Sequence, residues 1–336
     1  MKPTDSTHSH LRRTVEMEKV NAVFEAAIRA EEAGDFDKAR RLYEQASVLA
    51  PTSPHPRVRL AVLLLETGQW SQAIRFGRQL IKRWPRIPLA YFVIGSSYAR
   101  LGRLRLAERF YRQALAIEED SNLLTIHGHV LSELRQNDEA EECLRKAVGL
   151  DPENEEAHYH LGRVYKQKGK FDTAEEHLRR AIEINPKYKF PYAELGELLA
   201  KDRPRDAISF LRKAVDFNPD DGYSRAYLAL SLSRLKKLKA ADEQYRKLLD
   251  IWPNKSLPYR CYGDFLASNR KDRSTAEWYL RKAVEIDPRD EWANYFLGRH
   301  LIYWDQNEEA RKFLMKASRQ GHSKARELIR WIDEQR

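Results

Sequence analysis

The amino-acid sequence predicts an all-α solenoid of about nine helix–turn–helix units followed by a final helix. Three observations carry that prediction. Ala39, Ala73, Ala107, Ala140, Ala174, Ala207, Ala241, Ala276 and Ala310 follow one another at spacings of 34, 34, 33, 34, 33, 34, 35 and 34 residues. Twelve residues after the alanine stands Pro51, Pro85, Pro152, Pro186, Pro219, Pro253 or Pro288, with Glu119 and His322 in the two remaining places. Eleven to thirteen residues before it stands a small residue: Ala27, Ala61, Gly95, Gly128, Gly162, Gly196, Ala229, Gly263 or Gly298. A self-similarity this regular defines a repeat array, so length divided by a typical domain size does not apply.

Each element follows from local chemistry. In the fifth unit His158, Leu161, Gly162 and Tyr165 lie at i, i+3, i+4 and i+7, one apolar stripe of a helix. Gly169 ends that helix because glycine accepts the left-handed conformation at a C-cap. The second helix carries Ala174, Leu178, Ala181 and Ile182 and stops at Asn185-Pro186, since proline cannot continue a helix and disfavours it in the residue before. The small residues mark close helix crossings, which large side chains would push apart.

The units fall near residues 20–53, 54–87, 88–120, 121–154, 155–188, 189–221, 222–255, 256–290 and 291–322. Residues 1–19 form an N-terminal extension: 1–10 carry no apolar pattern and are expected to be disordered, while Leu11 and Val15 extend the first helix backwards. Ala325, Leu328, Ile329 and Ile332 form a last stripe, so 323–336 is expected to be a C-terminal capping helix over the end of the array. Local departures are Gly77 where the other units have Tyr or Leu, a missing residue around Asp202-Arg203-Pro204, and an extra one around Asn269-Arg270-Lys271.

The repeat resembles the tetratricopeptide repeat (TPR). The residues that carry the resemblance in the fifth unit are Leu161-Gly162, Tyr165, Gly169, Ala174, Ala181 and Pro186, and it extends from about Val20 to His322. It implies a right-handed superhelix in which first helices line a concave groove and second helices face outward. The function implied is protein binding. Departures from known TPR uses are informative. No three consecutive units carry the Lys/Asn, Asn, Lys/Arg set that clamps a chaperone's C-terminal carboxylate. No DNA-binding helix-turn-helix precedes the repeats, as it would in a peptide-sensing regulator.

At the positions that the resemblance turns toward the groove, Tyr223 and Tyr227 stand in the seventh unit and Trp292, Tyr295, Phe296 and Tyr303, with Arg299, in the ninth. Aromatic rings beside an arginine are common anchors of binding surfaces, and equally they pack against one another or beneath a capping helix. The middle of the array is polar: His129, then His160, Arg163 and Lys166, then Glu194 and Glu197. Two histidines and two carboxylates suffice in number for a metal, but Arg163 beside Glu194 or Glu197 makes a salt-bridge network the simpler reading, and no metal or cofactor is expected. A histidine there could also tune binding with pH.

The whole net charge of +10 falls between Arg57 and Arg112, where twelve Lys/Arg face only Glu66 and Glu108. Arg75, Arg78 and Lys82 share one face of a second helix, and Arg109 and Arg112 repeat it one unit on. In units four, five and seven Glu142, Glu176 and Glu243 replace Arg75, and Arg145, Arg179 and Arg246 follow three residues later as pairing partners. Units two and three lack those acids, so their arginines are expected to be unpaired and to form a positive patch. Such a patch suits an acidic protein surface or an anionic membrane, or simply solubility. Nucleic acid is the rival partner, and it is disfavoured because the aromatics and the patch lie at opposite ends of the array.

Catalysis is not expected. No phosphate-binding loop, nucleophile elbow or HExxH motif is present, and the repeats fill the chain. Cys143 and Cys261 are far apart and form no ligand or disulfide pattern. The start lacks a secretory apolar segment, and no apolar run is long enough to span a bilayer. The sequence therefore reads as a soluble, cytoplasmic, non-enzymatic scaffold or adaptor, or as a permanent subunit of a larger enzyme complex. The two differ in lifetime, not in chemistry.

Overall fold

The computed structural model describes the backbone of residues 5–269 and 273–335, with side chains from Met17 onward. Among them are nineteen α-helices and no strand. The chain divides into two compact units, residues 1–170 and 171–336.

The first unit holds α1 (Asp5–Glu32), α2 (Phe36–Leu49), α3 (His55–Glu66), α4 (Trp70–Arg83), α5 (Pro88–Arg100), α6 (Leu104–Leu115), α7 (Ser121–Glu133), α8 (Asn137–Leu150) and α9 (Glu155–Gln167). Each odd-numbered helix from α3 on packs on the second helix of the preceding repeat, and α3, α5 and α7 pack also on that of their own. α1 begins at Asp5, well before the hydrophobic pattern that starts at Leu11, so residues 5–10 are helical where disorder is expected; residues 1–4 lie outside the described residues.

The second unit holds α10 (Phe171–Ile184), α11 (Phe190–Leu199), α12 (Pro204–Phe217), α13 (Gly222–Arg234), α14 (Leu238–Ile251), α15 (Ser256–Asn269), α16 (Arg273–Ile286), α17 (Glu291–Tyr303), α18 (Asn307–Arg319) and α19 (Ser323–Glu334). Its first helices α11, α13, α15 and α17 touch in sequence and make one layer. α19 lays Ala325 and Ile332, both buried, against the core of α17 and α18. The extra residue expected around Arg270-Lys271 lies outside the described residues.

The small positions are steric requirements. A Cβ on Gly128 would lie 2.6 Å from Leu144 Cγ, and one on Gly196 would lie 2.5 Å from Leu211 Cγ. Gly95, Gly128, Gly196, Gly263 and Gly298 thus each receive a large side chain of the partner helix. Gly77 reverses the arrangement: it stands where the partner helix elsewhere has Tyr or Leu, and Ile94 of the next repeat fills the space, 2.5 Å from a Cβ built there.

The prolines are fixed by a recurring bond. The side chain six residues after each one reaches back to its carbonyl: Arg57 to Pro51 (3.5 Å), Tyr91 to Pro85 (3.0 Å), His158 to Pro152 (3.3 Å) and Tyr192 to Pro186 (2.9 Å). Arg225 reaches Pro219 (2.8 Å), Tyr259 reaches Pro253 (2.9 Å) and Asn294 reaches Pro288 (3.1 Å). Four residue types share one task. The carbonyl just before a new helix has no ladder partner, and any donor long enough to reach it satisfies it.

Seven of the turns within repeats use a left-handed residue. Glycine supplies it at Gly34, Gly68, Gly102 and Gly169, whereas Arg135, Lys236 and Asp305 adopt it without glycine, at φ of 65, 57 and 58°.

Candidate functional site

The candidate site of the second unit is the face of its first helices. Polar groups there cross from one repeat to the next. Tyr227 donates to Glu197 at 2.9 Å, and burial with the nearby carboxylate pushes its phenol far up. Arg260 pairs with Asp290 at 3.1 Å, and Asp290 also accepts from Ser256 at 2.6 Å while capping α17. Arg299 pairs with Asp264 and lies over the rings of Tyr295 and Phe296 at 5.8 and 5.3 Å. Burial raises the Asp264 carboxyl despite Arg299 and Arg260 beside it. Arg299 is therefore a bonded support for the aromatic group, and Asp264 and Arg260, not singled out from sequence, are part of the same face.

The aromatic residues divide into two sets. Tyr223, Trp292 and Tyr303 are 60, 43 and 63% exposed, and Tyr223 meets Trp252 edge-on at 5.0 Å. Phe296 is half-buried, 5.8 Å from Trp292. Tyr295 departs from its expected role as an open anchor: it is buried and stacks on His322 at 4.0 Å. His322 holds the place that proline takes in seven repeats, and there an imidazole covers the ring. Glu194 is half-buried on α11, one turn before Glu197.

In the first unit, His129 and His160 stack ring on ring at 4.3 Å. Arg163 donates to Glu133 at 3.2 Å, and Glu133 lies 3.6 Å from His129. Burial lowers the His129 pKa, with Arg163 adding to it, and burial plus the His129 and Arg163 charges pushes His160 down to about 2. Both rings are thus neutral at ordinary pH. Lys166 is half-buried one turn after Arg163. Among the described residues no three His, Cys, Asp or Glu side chains are grouped to hold a metal.

The basic residues lie on α4 and α6, all exposed. Among the described residues Arg75, Lys82 and Arg109 have no carboxylate partner; Arg75 rests on the Phe76 ring and Arg78 donates to Tyr98 Oη at 2.8 Å. Arg112 corrects the expectation of an unpaired charge. It reaches Glu108 at 2.6 Å and Glu139 of the next repeat at 3.6 Å. The pairing register is also corrected. Arg145 pairs with Glu141 (3.4 Å), Arg179 with Glu175 (2.8 Å) and Arg246 with Asp242 (3.0 Å), all at i, i+4 rather than i+3. The acid sits one residue earlier than expected, and in α4 that position is Ile74.

An array of stacked helix pairs with side-chain ladders between repeats is the architecture of a repeat-built interaction module. Tetratricopeptide-repeat models match residues 30–85, 58–122 and 155–188, and a TPR-repeat model matches 128–169. The chain is a tetratricopeptide-repeat protein. A TPR repeat-containing protein of Dictyostelium discoideum is 26% identical over 60% of this chain and 66% of its own length. The human protein O-mannosyl-transferase TMTC3 is 24% identical over 82% of this chain, but the match spans only 30% of that protein. Among solved structures, the Cut9–Hcn1 hetero-tetramer of APC/C superposes with a TM-score of 0.61 at 18% identity, covering 79% of this chain and 52% of that one. A tetratricopeptide-repeat protein of Parabacteroides merdae gives 0.61 at 16% identity, covering 76% of this chain and 98% of its own. At these identities the structural likeness is one of fold. Among the described residues no helix is long and apolar enough to cross a membrane.

Proposed function

We propose that the chain is a non-catalytic scaffold or adaptor that holds a peptide or helix of a partner protein on the first-helix face of its second unit. Trp292, Phe296 and Tyr303 of α17 are the anchors there, with Tyr223 and Tyr227 on α13 two repeats earlier. The observation that carries the reading is the exposure of large rings on a rigid face whose polar groups bond to one another. Trp292 and Tyr303 are 43 and 63% exposed, while Glu197, Asp264 and Asp290 are already engaged. Rings held this way offer apolar area at little ordering cost. His129, His160, Arg163 and Lys166 on α7 and α9 of the first unit, and Glu194 and Glu197 on α11 of the second, are polar residues of first helices within their own units.

Arg75, Arg78, Lys82 and Arg109 form a second, electrostatic contact for an acidic surface. The protein works in the cytoplasm, a reading supported by its two free thiols. Affinity capture from native lysate tests the reading. A protein retained after nuclease treatment should be lost with Trp292→Ala/Phe296→Ala, at a cost of about 2 kcal/mol or more. Unchanged capture by a correctly folded variant removes this face as the site. That no carboxylate pairs with Arg75, Lys82 or Arg109 among the described residues favours one second reading, a nucleic-acid contact. Capture of nucleic acid alone, insensitive to the aromatic substitutions, would establish it.

A further inference from the structure

A separate pocket in the first unit carries an inference of its own. It opens between the N-terminal ends of α5 and α7, is about 330 Å³ in volume, and has apolar walls of Pro88, Leu89, Phe92, Leu123 and Ile126. The walls repeat at one-unit spacing, since Leu89 and Leu123, and Phe92 and Ile126, are each 34 residues apart. They are also held in place: Leu123 is buried in the core, and Phe92 leans on the Tyr111 ring at 6.0 Å. Leu89 is 40% exposed at the mouth. A preformed apolar cavity of this size lies at the small end of ligand pockets and has room for one large side chain.

The rim is acidic. Glu118 and Asp120 line it, and Glu119 lies between them in the chain. Asp120 caps α7 by accepting from Leu123 N at 2.9 Å, while among the described residues Glu118 and Glu119 pair with no cation. The N-termini of α5 and α7 contribute about half a positive charge each, so three carboxylates leave about −2 at the mouth. Arg86, two residues before Pro88, and Lys146, which feels the Glu119 charge while pairing with Glu142, reduce that sum, but neither forms an ion pair with the three. The acids stand beside the one stretch of the chain that holds its whole positive excess, and the arginines there leave them unneutralised.

We propose that this pocket takes an aromatic side chain of a protein segment in which a lysine or arginine adjoins the aromatic residue, the ring entering between Phe92 and Ile126 and the cation meeting Glu118. The proposal rests on the reading of the chain as a protein-binding scaffold and adds a second site with a stated sequence preference. A phage-displayed random heptapeptide library, panned on the full chain, tests it. Wild type should enrich aromatic residues next to Lys or Arg, and a synthetic peptide of the enriched sequence should bind about tenfold more weakly to Leu89→Glu, the loss expected for one anchor. Glu118→Lys with Asp120→Asn, which keeps a capping oxygen, should shift the enriched neighbours from basic to acidic. Leu89 and Glu118 are exposed, so circular dichroism should show both variants folded. No enrichment on wild type, or the same motif on both variants, overturns the proposal. Loss of the peptide with Trp292→Ala/Phe296→Ala alone would also overturn it, while leaving the scaffold reading standing on the second unit.

Discussion

Gly196→Ala puts the packing argument at risk because two effects pull in opposite directions. Alanine is the better helix former, and replacing a mid-helix glycine should by itself stabilise α11 by about 0.5–1 kcal/mol. The new Cβ, however, would stand 2.5 Å from Leu211 Cγ and 2.6 Å from its Cδ2. That is about 1 Å inside ordinary carbon contact. Leu211 is fully buried and has nowhere to retreat. Overpacking of this kind costs about 1–3 kcal/mol, which cancels or outweighs the propensity gain and leaves a net loss of up to about 2.5 kcal/mol. Leu211→Ala alone should cost about 2–5 kcal/mol through its cavity. The double variant should recover at least about 1 kcal/mol relative to the sum, because the clash disappears with the leucine. Urea unfolding by circular dichroism reads the total, and hydrogen exchange at the α11 and α12 amides reads the local loss that a repeat array permits. A Gly196→Ala protein more stable than wild type, or strict additivity in the double variant, would refute the close-crossing explanation.

Three further outcomes follow from the same structure. Lys236 holds φ of 57°, so Lys236→Gly should raise stability by about 1 kcal/mol, read as a higher unfolding midpoint. Asn154 is buried, caps α9 through Ala157 N at 2.9 Å and donates to Ser121 Oγ at 2.9 Å; Asn154→Ala should cost about 1–2 kcal/mol in urea titration, whereas Asn154→Asp should keep the cap. The folded pKa of His160 lies below its unfolded value of 6.5, so its contribution is fully present above pH 6.5 and is lost as pH falls from there toward about 2. Stability should therefore decline on acidification below pH 6.5, with a slope approaching about 1.4 kcal/mol per pH unit for the one proton taken up. His160→Phe should flatten that limb.

The repeat was legible because its constraints are local and strict. Alanine, glycine and proline recur where helices cross or must stop, and each exclusion is steric, so it shows as residue identity. The donor six residues after each proline is less visible, since Arg, Tyr, His and Asn do the same work and only the geometry unites them. The candidate site was less legible because it depends on partners from neighbouring repeats. Tyr295 is covered by His322, which sits at a position that is proline in seven other units. Arg112 is paired by Glu139 of the next repeat as well as by Glu108 of its own helix, and the second of these, at i, i+4, could have been read from spacing alone. The pocket of Phe92 and Ile126 also left a signal, two apolar pairs spaced by one repeat on consecutive first helices, but a stripe of that kind reads as core until the walls are seen to leave a space.

The central claim is that a partner protein lies on the first-helix face of the second unit. Its most direct test is site-specific photocrosslinking in native lysate, with benzoylphenylalanine replacing Tyr303 or Tyr223 on that face, or Arg75 on α4. The account predicts a discrete protein adduct from Tyr303 and Tyr223 that survives nuclease and disappears when Trp292→Ala/Phe296→Ala is added at the Tyr223 position. Adducts from Arg75 alone, removed by nuclease, would contradict it.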